Sequence, residues 1–319
     1  MLDLAQANLL SPPVLCFVLG AIALRLRADL GLPEAVYSVL SAYLMLSIGL
    51  RGGAELAHEP LASLAGPVAG ALALGIAIPL WSYAALRRFW GLGIADAAAM
   101  AAHYGSVSAV TFAAVTAMLD RQGTPFEGYA ATLLAVMEVP AIIIGIGLAR
   151  AAGAGSGRPL GSLGGVLASK SVLLLLGGLV IGALSGPERL APVQPFFTGL
   201  FPGALCLFLL ELGRVTAQRL GEFSGAGRRL VAFALIAPPI HAVAGLVVAQ
   251  AVGLSEGGAV VLATLAASAS YIAAPAAVRQ ALPEANPGFY LTCALGITFP
   301  FNIIIGLPLY QAMAGWLYG

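Results

Sequence analysis

The chain has 319 residues, of which 60% are hydrophobic and 9% charged, with a mean hydropathy of +0.96 and a net charge of +1. Soluble domains carry about a quarter charged residues, so this composition indicates a chain embedded in lipid. The small net charge implies no bulk attraction to nucleic acid. Cys16, Cys206 and Cys293 all fall in apolar segments, which is typical of core residues rather than a disulfide set or metal site.

Ten apolar segments approach the roughly 20 residues that a membrane-spanning helix needs. The sequence therefore predicts an all-α polytopic membrane protein with ten transmembrane helices. The first segment lacks the basic start and cleavage site of a signal peptide, so we expect it to be retained. The ninth and tenth segments are not expected to be simple straight helices. The segments lie near residues 11–27, 33–50, 65–86, 93–119, 127–150, 168–185, 195–213, 229–251, 256–279 and 287–315.

Positive charges are distributed unequally between the two sets of alternate loops. Twelve Lys and Arg residues fall in one set, and only Arg51, Arg121 and Arg189 fall in the other. Because positively charged loops stay in the cytoplasm, this split predicts both termini on the non-cytoplasmic side of the membrane. A missed helix would have weakened the bias, so it also supports the count of ten.

A Gly- and Ser-rich segment, 151–167, separates a first half, 1–150, from a second half, 168–319. We interpret it as a cytoplasmic linker. Each half has five predicted spans, and two copies of an odd-numbered unit must lie in opposite orientations, as in the inverted repeats of transporters. Faint similarity supports this: 94–115 resembles 258–278 with Gly105 aligned to Ser268, 137–148 resembles 298–309, and 44–56 resembles 205–220 less closely. Chance similarity between Ala-rich apolar segments is the alternative.

Two of the aligned segments are interrupted by small polar residues, HYGSVSAV at 103–110 and ASASY at 267–271. A helix broken within a membrane is tolerated where it lines a cavity or packs against protein. The exposed N-termini of two half-helices would suit a small anion, and their hydroxyl and carbonyl oxygens would suit sodium. The alternative is tight helix packing, which also favours Gly and Ser.

Glu138 lies in the middle of the apolar segment LLAVMEVPAIII, where a charged group is costly and usually faces a functional cavity. Pro140 follows closely and lacks a backbone donor, which frees a carbonyl nearby. Carboxylate and carbonyl together predict a cation site; a structural, protonated or hydrogen-bonded glutamate is the alternative. The aligned part of the second half offers the neutral oxygens of Thr298 and Asn302. His241 is a second polar group in an apolar segment, interpreted as a helix-to-helix hydrogen-bonding residue or a proton relay.

The sequence does not predict an enzyme. It contains neither an HExxH metal motif nor a GxSxG nucleophile elbow. A hydrolase using Ser106 or Ser108 with His241 would need those groups within hydrogen-bond reach, which the sequence does not establish.

Several strings in order, HYGSVSAVTF, MEVPAI, APPIHA, ASASYIAAPAAVRQALPEANP and GITFPFN, resemble the sodium-dependent bicarbonate transporter (SbtA-like) family over essentially the whole chain. The resemblance implies a five-plus-five inverted repeat divided into core and gate domains, a homotrimer, and elevator-type movement. It implies sodium as coupling ion, with no organic cofactor, and bicarbonate uptake across the plasma (inner) membrane. A PII-like regulatory protein is an implied partner, alongside membrane lipid.

The resemblance also implies site residues. Substrate would be bound by Gly105, Ser106, Val107, Ser108, Ser268, Ala269 and Ser270, and sodium by Ser108, Glu138 and Ser270. From their positions in the aligned segments we add Tyr271 to the predicted substrate site and Asn302 to the predicted sodium site. The cyanobacterial carriers have aspartate at the positions of Glu138 and Tyr271 and a longer insertion between the halves, so this chain resembles a non-cyanobacterial member. A symporter of another small organic or inorganic anion, or a membrane sensor that binds such a ligand without transport, are the alternatives.

Overall fold

A computed structural model of the chain describes residues 2–28, 30–57, 59–155, 170–221 and 227–319, and these residues form helices joined by short loops. Most of the predicted linker, at 156–167, lies outside the described residues. The helices are α1 (Leu2–Leu9), α2 (Pro12–Arg25), α3 (Glu34–Leu56), α4 (Leu61–Arg88), α5 (Ile94–Gly105), α6 (Ala109–Gln122), α7 (Ala130–Glu138), α8 (Pro140–Ala151), α9 (Lys170–Leu190), α10 (Phe201–Gly221), α11 (Gly227–Ala251), α12 (Glu256–Ala267), α13 (Ala273–Ala281) and α14 (Pro287–Tyr318).

Each of the ten predicted segments coincides with one of these helices or with two half-helices. Within the described ranges, seven helical segments are long and apolar enough to cross a membrane, which supports a multi-pass membrane protein. The remaining three predicted spans fall on α2, with only 14 residues, on α10, and on the interrupted pair α12 and α13. Ten spans therefore stays a prediction. The seven segments are Glu34–Leu56, Ala62–Arg88, Ile94–Gln122, Ala130–Ala151, Lys170–Val193, Gly227–Ala251 and Pro287–Tyr318.

Helices α2, α3, α9 and α10 form a first group, in which glycines allow close backbone contact. In the α3–α9 pair, a Cβ atom at Gly178 would lie 3.0 Å from the Gly49 Cα, and one at Gly182 would overlap the Leu50 carbonyl. In the α2–α10 pair, a Cβ at Gly213 would overlap the Phe17 carbonyl. Small residues let helices approach in this way without a hydrophobic driving force in lipid.

Helices α4 to α8 and α11 to α14 form a second group around the interrupted helices. Gly145 of α8 packs against Ala102 of α5, and Gly245 of α11 packs against Ala263 of α12. The apolar window of Ile94–Gln122 is completely buried by its neighbours. This interrupted segment is therefore surrounded by protein, which is where a break in a membrane helix can be satisfied.

Helix α14 contains two π-helical segments, Thr292–Thr298 and Asn302–Gly306. The tenth segment is thus continuous in its helical structure but irregular in its turns. Such widened turns occur often at functional sites. Here they bring the side chains of Thr298 and Asn302 towards the neighbouring helices α11 and α12, as the hydrogen bonds described below show.

Candidate functional site at two helix breaks

The first break separates α5 from α6 at Ser106, Val107 and Ser108. Ser106 has extended backbone angles (φ −83°, ψ 167°), and Ser108 caps α6 because its hydroxyl accepts a hydrogen bond from the Thr111 N–H at 3.1 Å. Gly105 ends α5 in a tight space, since a Cβ there would lie 2.5 Å from the Cδ of Pro79. Glycine is therefore needed at position 105 for packing against Pro79, whereas the Ser106 and Ser108 side chains lie within the break itself.

The second break separates α12 from α13 and repeats this arrangement. Ser268 has nearly the same backbone angles as Ser106 (φ −80°, ψ 167°), and the Ser270 hydroxyl accepts a hydrogen bond from the Ala274 N–H at 3.2 Å. Ser268 thus corresponds to Ser106, and the alignment of Ser268 with Gly105 was one residue out of register. Alternating small residues give a sequence alignment little to fix its register. The second break is longer, extending to Ile272.

The two breaks are hydrogen bonded to each other. The Ser270 N–H donates to the His103 carbonyl at 2.8 Å, and the Ser108 N–H donates to the Ser268 hydroxyl at 2.9 Å. All four residues are buried. These bonds satisfy backbone groups that each break would otherwise leave unpaired, so the breaks stabilise each other in an apolar surrounding.

Glu138, at the end of α7, lies next to the point where the two breaks meet, which we call the crossing. The helix is interrupted at Val139. In a continuous α-helix the Ile142 N–H would bond to the Glu138 carbonyl, but here it bonds to the Val139 carbonyl at 3.2 Å. The Glu138 carbonyl instead accepts a hydrogen bond from the Ser106 hydroxyl at 2.8 Å. The Glu138 carboxyl group is buried, and its Oε2 atom has no hydrogen-bond partner in the described part of the chain. An unpartnered carboxyl oxygen in an apolar surrounding calls for a ligand or a proton.

A cavity of about 10 Å³ lies between these groups. That space suits a water-sized occupant, whereas bicarbonate, with three oxygens around a carbon, is larger. Two of the cavity's lining residues, Met45 of α3 and Ser171 of α9, come from the first helix group, and sequence reasoning did not identify them. They are distant along the chain, and no local pattern places them here. The cavity is lined by Met45, Val107, Ser108, Ala109, Glu138, Ser171, Ser270, Tyr271 and Ile272.

Five of the predicted site residues therefore line the cavity, namely Val107, Ser108, Glu138, Ser270 and Tyr271. The other five, Gly105, Ser106, Ser268, Ala269 and Asn302, are not among its lining residues. Several of these support the break instead. The Ser268 hydroxyl, for example, donates to the Leu265 carbonyl at 2.8 Å while accepting from Ser108.

Asn302, a predicted sodium ligand, has both ends of its amide engaged by protein. Its Nδ2 donates to the Ala267 carbonyl at 2.9 Å, and its Oδ1 accepts from the Tyr310 hydroxyl at 2.7 Å. The first bond satisfies the carbonyl at the end of α12, directly before the second break. In this arrangement Asn302 anchors the break from behind.

Tyr271 is buried at the wall of the cavity. Its ring packs edge-on against Phe299, with centroids 5.3 Å apart, and its buried hydroxyl has no hydrogen-bond partner in the described part of the chain. The tyrosine thus occupies space next to Ser108 that a smaller side chain would leave open.

His241 lies outside this cavity. Its Nε2 is 3.4 Å from the Ser82 hydroxyl on α4, which agrees with the interpretation of a hydrogen bond between helices. Ser106 and Ser108 are held by Glu138 and Thr111 rather than by a histidine side chain. A Ser-His pair of a hydrolase is therefore not assembled from these residues.

Comparison of the sequence with known protein families identifies the family over nearly the whole chain. The sequence-family model described as the Na+-dependent bicarbonate transporter superfamily matches residues 12–315 of the chain. This chain belongs to the Na+-dependent bicarbonate transporter superfamily. A search of curated proteins found no match.

Superfamily membership and the apolar helices together support a multi-pass membrane transport protein. In this superfamily member, no group of three His, Cys, Asp or Glu side chains is placed to hold a metal ion within the described residues. At the crossing, the groups that could hold a cation are the Glu138 carboxylate and the neutral hydroxyl oxygens of Ser108 and Ser270. Such a ligand set suits a hard, weakly charged cation such as sodium.

Proposed function

We propose that this protein is a secondary active transporter that couples sodium to the symport of a small anion, with bicarbonate as the first candidate. The observation that supports this most strongly is the structure of the crossing. Two interrupted helices are hydrogen bonded to each other there, beside a buried carboxyl group that has an oxygen without a hydrogen-bond partner among the described residues. Superfamily membership supports both the sodium and the bicarbonate.

The anion would bind at the N-terminal ends of α6 and α13. The first N–H groups of a helix have no partner within it, and the helix dipole adds positive potential there. The Ser108 hydroxyl caps α6, and the Ser270 hydroxyl accepts a hydrogen bond from the Ala274 N–H in the first turn of α13, so each serine keeps its own hydroxyl hydrogen for an anion. Because both helices begin at the crossing, the two positive ends act on the same point.

Sodium would bind on the Glu138 side of the same cavity, with the Ser108 and Ser270 hydroxyl oxygens as further ligands. The volume of about 10 Å³ suits an ion of water size. In our proposal Asn302 contributes by fixing the end of α12. The negative charge of Glu138 offsets the charge of the cation, and the cation in turn favours a nearby anion, which couples the two.

Symport needs the site to open to either side. We propose that the halves form an inverted repeat and that α2, α3, α9 and α10 act as the gate, with the other helices as the mobile core of an elevator-type homotrimer. The packing supports this, since α3 pairs with α9 and α2 with α10, as a twofold relation between the halves requires. The cavity lies between the groups, so sliding of the core past Met45 and Ser171 would open it. Both termini would be non-cytoplasmic.

Uptake of labelled bicarbonate into proteoliposomes tests this function. We expect uptake that depends on an inward sodium gradient and is not supported by an equal potassium gradient. Absence of bicarbonate uptake, combined with thermal stabilisation of the protein by sodium, would show that the anion is a different one.

A different small anion is the second candidate, favoured by Tyr271. This bulky side chain lines the cavity next to Ser108, where the resembling cyanobacterial carriers have aspartate. A panel of sodium salts of small inorganic and organic acids, compared by thermal shift and then by uptake, distinguishes the substrates.

A further inference from the structure

A second, much larger cleft lies next to the small cavity. Its volume is about 480 Å³, and it runs between α3 of the first helix group and α6 of the second. Residues about one turn apart on these helices line first the small cavity and then the cleft: Met45 and then Ile48 on α3, Ala109 and then Phe112 on α6. The cleft therefore begins about one helical turn from the helix breaks, and it shares no lining residue with the small cavity.

Charged residues are concentrated at the far end of this cleft, about 18 Å from Ser108 at 1.5 Å per helical residue. The Arg51 guanidinium makes two hydrogen bonds to the Asp120 carboxylate, at 2.9 and 3.3 Å. This pair joins the two helix groups across the cleft. Two hydrogen bonds from one guanidinium satisfy most of the Asp120 carboxylate.

Arg121 also lines the cleft and is exposed there. Within the described part of the chain its guanidinium makes no hydrogen bond and no ion pair within 4.0 Å. Glu55 is the remaining charged residue in the cleft wall and lies against Gly128. Of the three basic residues assigned by sequence to this face, two thus lie in the cleft.

We infer that this cleft is the aqueous entrance to the helix breaks and that Arg121 is an anion-attracting site at its mouth. The inference rests on the proposed function, because it names the route and the first contact of the same anion. A guanidinium that makes no ion pair attracts small anions over short distances, and Glu55 in the same wall opposes this attraction. The neighbouring Asp120 carboxylate also acts on Arg121, but its two hydrogen bonds to Arg51 offset part of its charge. The class of ligand is a small inorganic or carboxylate anion.

The local potential can be measured without transport. A reporter, Ala117→Cys, is placed in the cleft wall of a chain whose Cys16, Cys206 and Cys293 are replaced by Ala. Its modification rates are compared for a negatively charged and a positively charged methanethiosulfonate of similar size. We expect Arg121→Gln to lower the ratio of the anionic to the cationic rate by about two- to sixfold, as a unit charge within about 8 Å would produce. Glu55→Gln should raise the ratio.

The matched control is Arg189→Gln, which removes the same charge from the same predicted face but lies outside the cleft lining. It should leave the ratio unchanged. If the ratio of the anionic to the cationic rate falls equally in Arg121→Gln and Arg189→Gln, or does not fall in Arg121→Gln, Arg121 is not an anion-attracting site. Failure of either reagent to react overturns the aqueous entrance. A second reporter, Thr124→Cys, lines the same cleft and repeats the test if the first variant does not fold.

Uptake measurements separate this inference from the proposed function. Where bicarbonate is transported, Arg121→Gln should raise the KM for the anion by a few-fold at unchanged kcat. Absence of bicarbonate uptake by the unmodified protein contradicts the proposed function. The modification rates at Ala117→Cys still test, independently of transport, whether the cleft is an aqueous entrance and whether Arg121 attracts anions.

Discussion

Glu138 has a buried carboxyl oxygen for which the described residues provide no donor. We predict that Glu138→Gln abolishes the sodium dependence of uptake while the protein still folds, because glutamine keeps the volume and loses the charge. Uptake across a series of sodium concentrations measures this, with size-exclusion chromatography to verify folding.

Glu138→Asp is the matched control, since it keeps the carboxylate on a shorter side chain. It should retain sodium dependence with altered apparent affinity. If Glu138→Gln responds to sodium as the unmodified protein does, Glu138 is not part of the cation site and is the structural glutamate of the alternative interpretation.

Tyr271 occupies the cavity wall next to Ser108. We predict that Tyr271→Asp raises the apparent sodium affinity roughly tenfold, equivalent to about 1.4 kcal/mol, because a second carboxylate would face the cation. The sodium concentration giving half-maximal thermal stabilisation measures the change.

Tyr271→Phe is the comparison for this variant, because it removes the hydroxyl but keeps the ring against Phe299. It should leave sodium affinity close to that of the unmodified protein. An unchanged affinity in Tyr271→Asp would instead identify Tyr271 as a packing or gating residue.

At the scale of elements, glycines determine how closely the helices of the first group pack. A Cβ at Gly182 of α9 would overlap the Leu50 carbonyl of α3, whereas Gly177 of the same helix has no atom within 4 Å of the corresponding position. We predict that Gly182→Ala destabilises the protein by about 1–3 kcal/mol through overpacking. Gly177→Ala should be neutral or stabilising, because alanine favours the helix. Thermal unfolding in detergent distinguishes them, and equal midpoints would contradict this packing.

Much of the element order follows from the sequence, because apolar length and the Gly-Ser interruptions are local features. The break at Ser106 to Ser108, the interruption after Glu138 and the irregular last helix all occur where the pattern indicated. Each depends on residues close together in the chain, and lipid leaves few alternatives to a helix.

The contacts across the fold could not be predicted in this way. Neither the hydrogen bond from Ser270 to His103 nor the approach of Met45 and Ser171 leaves a local signal. Arg51 and Asp120 are likewise unremarkable as separate residues, and only the folded chain brings them together across the cleft. The engagement of Asn302 by Ala267 and Tyr310 was also invisible, because an amide in an apolar segment suggests a ligand as readily as a helix anchor.

At the scale of the whole molecule, the described chain contains a wide cleft next to a narrow cavity. The cavity of about 10 Å³ has room for one water-sized occupant, and in our proposal an anion of several atoms enters when the two helix groups move apart. In our proposal the cleft admits ions from one side, and movement of the second group relative to the first exposes the crossing to the other.

An experimental density map of the protein with sodium and bicarbonate tests the central claim most directly. Our account predicts density for an anion at the N-terminal ends of α6 and α13, within hydrogen-bond reach of Ser108 and Ser270, and a second feature beside the Glu138 carboxylate. A map that shows both breaks well ordered but no bound density between them, in a protein that transports bicarbonate, would contradict it.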